Sequence, residues 1–139
     1  MSDTGSIKNL LVVTALLETI TGIAMMVSPA LPVSLLIGAA LDTTAGLVLG
    51  RIAGAALLAL GMACWRARAD GRSGAARGLV AAMLLYDVAA VAVLIHAGLG
   101  LKLSGMGLWP AVVLHLALAT WCLACLGPLS VSRAKGTEP

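Results

Sequence analysis

Four stretches of this chain, 7–27, 43–65, 76–98 and 108–126, are long, apolar and almost free of charge. A helix of ~20 apolar residues crosses the ~30 Å hydrocarbon core of a bilayer. No water is present there to satisfy the backbone, so each N–H and C=O must be bonded within its own segment, as a helix does. The alternating pattern of a membrane β-barrel is missing. Only 11% of the 139 residues are charged, against about a quarter in a typical soluble domain. The solvent that suits this surface is lipid. The pattern predicts an all-α fold, a single four-helix transmembrane bundle over residues 1–139.

Positive charge sets the expected orientation, because Lys and Arg gather on the cytoplasmic side of short loops. The loop "WRARADGRSGAAR" carries Arg66, Arg68, Arg72 and Arg77, the C-terminal tail carries Arg133 and Lys135, and the N-terminal end carries Lys8. The link between runs one and two has neither Lys nor Arg, and the link between runs three and four has only Lys102. These loops agree on an N-in, C-in protein of the bacterial inner membrane with four crossings. The first run is long for a cleaved leader and holds Glu18 at its centre, so it reads as a retained span.

Local punctuation fits this division. Pro29 and Pro32 stop run one, since proline lacks a donor and clashes with the preceding turn. Residues 33–41 read as a short re-entrant or interfacial helix on the outer side. Asp42, Thr43 and Thr44 offer side-chain caps for run two. Pro110 falls in the first turn of run four, where its missing N–H is harmless, and Gly127-Pro128 closes that run. Trp65 and Trp109 fall near opposite interfaces, where indoles prefer to lie.

Each run also carries an ionisable residue well inside the membrane. At 1.5 Å per residue, Glu18, Arg51, Asp87 and His115 lie roughly 13, 12, 16 and 10 Å below the outer face, a band of about 6 Å. Intramembrane charges cost about 2.5–3.5 kcal/mol each on insertion scales, and they normally face a bundle interior and pair. Glu18 and Asp87 around Arg51, with His115 as donor or acceptor and the Tyr86 hydroxyl alongside, form the expected polar layer. Thr14, Glu18, Thr21 and Gly22 follow one helical face, as do His115, Ala119 and Cys122. Gly46, Gly50 and Gly54 form a small-xxx-small ridge of the kind that lets helices approach closely in lipid. The ridge serves either packing within one chain or a homodimer interface.

Other motifs yield less. Cys122-Leu-Ala-Cys125 and Cys64 suggest a thiol pair or soft-metal site on spacing alone, but cysteine is a frequent apolar core residue and the structural reading is preferred. A haem held by His96 and His115 requires two ligands at one depth; these differ by about 7 Å. The Arg-rich loop reads as a topology signal, with contact to anionic lipid heads as the alternative. No P-loop, dinucleotide fingerprint, nucleophile elbow or zinc motif is present. No cofactor, metal, catalytic residue or nucleic-acid partner is expected. The partners expected are the bilayer and either a second copy or another membrane subunit.

Two resemblances bear on this reading. The segment "ALLETITG", with a mid-membrane Glu in the first of four helices, is similar to the small multidrug resistance exporters. In that family the carboxylate exchanges protons for cationic drugs. The segments "ETITGIAMMVSPALPVSLLIGA", "GRIAGAALLALGMACW", "LLYDVAAVAVLIHAGLG" and "LWPAVVLHLALATW" together resemble the DoxX-like group and other small four-helix bacterial membrane proteins. That second likeness spans nearly the whole chain and implies the architecture without an activity. The expectation is a non-enzymatic protein with a structural or accessory role, the alternative being a small proton- or cation-coupled transporter or channel using Glu18 and Asp87.

Overall fold

The computed structural model describes residues 3–71 and 73–127. Arg72, Pro128, Arg133 and Lys135, used above for orientation and punctuation, lie outside the described residues. The elements are α1 (Asp3–Val27), α2 (Ala30–Ile37), α3 (Thr44–Ala67), α4 (Gly74–Ile95), a π-helical segment (His96–Gly100) and α5 (Leu108–Leu126). There is no strand among the described residues. Four segments, Gly5–Val27, Thr44–Ala67, Gly74–Gly100 and Leu108–Leu126, are long and apolar enough to cross a membrane.

The boundaries follow from local chemistry. The Thr43 hydroxyl accepts from the Gly46 N–H at 3.1 Å and starts α3. Ser73 does the same for α4 through Ala76 N–H at 3.0 Å. These caps satisfy donors that the first helical turn leaves free. The short helix α2 begins three residues earlier than the 33–41 segment expected and ends at Gly38, whose φ of 71° only glycine adopts without strain.

The bundle is two antiparallel hairpins. In the first, Thr19 of α1 faces Gly61 of α3, Gly22 faces Gly54, and Pro29 faces Gly50. In the second, α4 lies along α5 from Arg77 beside Leu126 to Gly98 beside Leu108. The hairpins join through α1 with α5 and through α3 with α4. Between α1 and α5 the Trp121 indole donates to the Ser6 hydroxyl at 3.0 Å, and that hydroxyl is 3.4 Å from the Cys125 sulfur. The larger core cluster gathers Ile7, Leu10, Leu11 and Ala15 with Cys64, Met83, Leu118 and Cys122. A smaller one, with Leu94 and Leu108, lies at the other end, below α2. Each hairpin's outer faces remain richly apolar: Ile20, Val27, Leu49, Leu85 and Met106 are all exposed. A bilayer-embedded bundle has this surface, since lipid solvates it.

The glycine ridge resolves one alternative. Gly50 and Gly54 are buried against α1 and Pro29 of the same chain, and Gly46 packs on Leu41 and Thr43. The ridge is therefore filled within the chain and is not a free surface for a second copy.

Candidate functional site

The polar layer lies where the two hairpins meet. Asp87, 13 residues into α4, is 1% exposed. Its Oδ1 lies 2.8 Å from Nδ1 of His115 on α5, whose side chain is 17% exposed. The contact joins two helices across the core. Tyr86, one residue before the acid, sets its ring edge-on to the His115 imidazole, with centroids 5.7 Å apart and planes at 78°. Such T-shaped pairs place a positive ring edge on a negative ring face. The imidazole is thereby held on two sides, by a carboxylate and by an aromatic ring.

Glu18 enters from α1 and is 5% exposed. It shares the buried interior with Asp87. Thr14, one turn earlier on the same face, is buried at 2%. Cys64 and Cys122 lie on the side of the layer nearer the N-terminus, in the core cluster with Leu10 and Leu11. All three cysteines are free and buried. No group of His, Cys, Asp and Glu among the described residues is arranged to hold a metal ion. Fully buried side-chain nitrogen and oxygen atoms among the described residues all have hydrogen-bond partners.

Two expectations require correction. Arg51 does not join the layer: it is exposed on α3 and forms no ion pair among the described residues. The reason is helical geometry. Gly50 and Gly54 face α1, and Arg51, one residue on from Gly50, is turned about 100° from that seam. Thr21, grouped with Glu18 by spacing, is exposed, whereas Thr14 and Gly22 are buried. The layer thus contains Glu18, Tyr86, Asp87 and His115, without a buried cation from α3. His96 is exposed at the far end of α4, nine residues and about 13 Å from Asp87.

The Ser6–Trp121–Cys125 tie escaped the sequence reading. The available signal was the position of Trp121 beside Cys122 on the buried stripe of α5, since a buried indole N–H usually finds a partner. Comparison with protein-family models gives no match, and neither do comparisons with curated proteins and with solved structures.

Proposed function

We propose that this chain is a non-enzymatic multi-pass protein of the bacterial inner membrane, N-in and C-in, whose polar layer locks its own bundle and which serves as a structural or accessory subunit. The observation that carries this reading is the Asp87–His115 contact of 2.8 Å between α4 and α5, in a core where both residues are largely shielded. A hydrogen bond of this kind fixes helix register, because a slip of one residue rotates each group about 100° away from its partner. Two hollows, one near Lys8 and Arg68 and one between α1 and α3, are lined by other residues. Lipid and a second membrane protein are the partners this surface suits.

A second reading is favoured by the exposure of Arg51. Without it, two acids face a single imidazole in a low-dielectric layer, and an excess acid is where an exchanging proton or cation binds. On this reading Glu18 and Asp87 serve a small transporter or channel. One experiment separates the two. Glu18→Gln is purified and followed by thermal unfolding in detergent and by proton-linked uptake in proteoliposomes. Lower stability with no flux in either protein supports the structural role. Unchanged stability with loss of a wild-type flux supports transport and removes the structural reading.

A further inference from the structure

The α1–α3 hairpin carries a cleft of two neighbouring hollows that the polar layer does not use. At the end of the bundle holding the N-terminus is a hollow of about 490 Å³, lined by Gly5 and Lys8 of α1 with Arg68, Ala69 and Gly71 after α3. Further along the same hairpin is an apolar groove of about 510 Å³. Its walls are Ala15 and Thr19 of α1, and Leu58, Gly61, Met62 and Trp65 of α3. Gly5, Lys8, Ala15 and Thr19 fall at helical spacings on one face of α1, and Leu58, Gly61, Trp65 and Arg68 do so on α3. In an antiparallel pair these faces lie along one seam. Arg68 joins its two parts: its guanidinium stacks 3.6 Å from the Trp65 ring centroid and also donates to the Trp65 carbonyl.

We propose that this cleft binds one anionic phospholipid, with the phosphate between Lys8 and Arg68 and an acyl chain in the groove beside Gly61. Charge and length both select this occupant. Lys8 and Arg68 bring two cations from separate elements to the mouth of an apolar groove. Lys8 and Ala15 are seven residues apart, about 10 Å along the helix, which separates a headgroup from the upper acyl chain. Gly61 lets α1 and α3 close together at the groove floor, where an added Cβ would come within 2.6 Å of the Thr19 hydroxyl. The Arg68 stack on Trp65 fixes the cation at the level where indoles meet headgroups. A juxtamembrane cation adds attraction for the anionic lipids of the cytoplasmic leaflet, and the N-in orientation proposed above places the cleft in that leaflet. Lipid binding itself does not depend on the polar layer.

The test uses the full chain in detergent micelles with Trp65 as the reporter, Trp109 and Trp121 being replaced by Phe. Brominated phosphatidylglycerol and brominated phosphatidylcholine are titrated as quenchers, and native mass spectrometry of the unsubstituted protein counts retained lipids. The expected result is one retained phosphatidylglycerol and a preference over phosphatidylcholine on the order of tenfold. Lys8→Gln, which leaves the Arg68–Trp65 stack in place, lowers that preference, and Lys8→Gln with Arg68→Gln abolishes it. Equal quenching by the two lipids overturns the proposal. So does a preference that inorganic phosphate removes at millimolar concentration, which identifies a free-anion site. A Trp65 shielded from both lipids in a protein that sediments as a dimer identifies a second copy as the occupant, and also overturns it.

Discussion

Gly22 on α1 and Gly54 on α3 face each other so closely that a Cβ on either would come within 2.9 Å of the other's carbonyl oxygen. Backbone contact of this kind brings dispersion forces into play along the whole seam, and in lipid those forces replace the hydrophobic effect as the source of helix association. Gly54→Ala therefore destabilises the bundle by about 1–3 kcal/mol, the usual cost of overpacking. Gly78→Ala on α4, where an added Cβ meets nothing within 4 Å, has the opposite sign and gains up to about 1 kcal/mol of helix propensity. Thermal unfolding in detergent measures both. An equal loss at the two positions would show that the α1–α3 seam is not tightly packed.

Removing one partner of the Asp87–His115 pair strands the other in the core. Asp87→Leu and His115→Leu are each expected to destabilise the protein, by about 1–3 kcal/mol. The double variant costs less than the two losses added together. Interhelical hydrogen bonds in membrane proteins couple by about 0.6 kcal/mol on average and up to about 1.7, so the double-mutant cycle should return a value in that range. A coupling indistinguishable from zero would mean that the 2.8 Å contact does not stabilise the bundle.

The helices were legible because lipid leaves few options. Run 108–126 coincides with α5, and run 43–65 differs from α3 by a residue or two at each end. Thr43, a cap on sequence grounds, performs that role. The acids, the histidine and the tyrosine of the polar layer were visible as charge and polarity inside apolar runs. Depth alone groups Arg51 with them, and the structure separates it. Depth gives the level of a side chain and not its azimuth, and the adjacent glycine ridge already held the azimuth: a helix cannot turn both Gly50 and Arg51 toward one seam. The Ser6–Trp121 tie joins residues 115 apart in sequence, and no local pattern encodes such a pairing.

Arg51 supplies the sharpest contrast between the two groupings. A guanidinium that joined two carboxylates would leave a large penalty on removal, because the acids would lose their counter-charge. An exposed guanidinium two turns inside an apolar helix instead costs insertion energy, reduced by its snorkelling toward the interface. Arg51→Leu is therefore expected to leave stability unchanged or raise it by about 1–2 kcal/mol, and to improve insertion of α3 in a translocon assay. A loss of 3 kcal/mol or more, on the scale of breaking a buried ion pair, would place Arg51 back among the acids.

At the opposite end from the Arg-rich loop, α2 is held by backbone contacts as well as by Leu36 packing on the Leu94 and Leu108 cluster. The Gly107 N–H donates to the Leu35 carbonyl at 2.9 Å, and a Cβ on Gly105 would lie 2.6 Å from the Gly38 nitrogen and against the Leu36 carbonyl. Gly38 itself has the left-handed φ that ends α2. Nothing in this contact is a flexible side-chain tip, so neither partner can yield cheaply. Gly105→Ala is expected to detach α2 from the 101–107 loop while the four long helices, whose seams lie elsewhere, stay assembled. Hydrogen exchange should accelerate at least tenfold over residues 30–38, the equivalent of about 1.4 kcal/mol in local opening, with the unfolding midpoint moved by only a few degrees. Unchanged exchange in α2 would show that the loop does not anchor it, and a collapse of the whole transition would show that α2 is integral to the bundle.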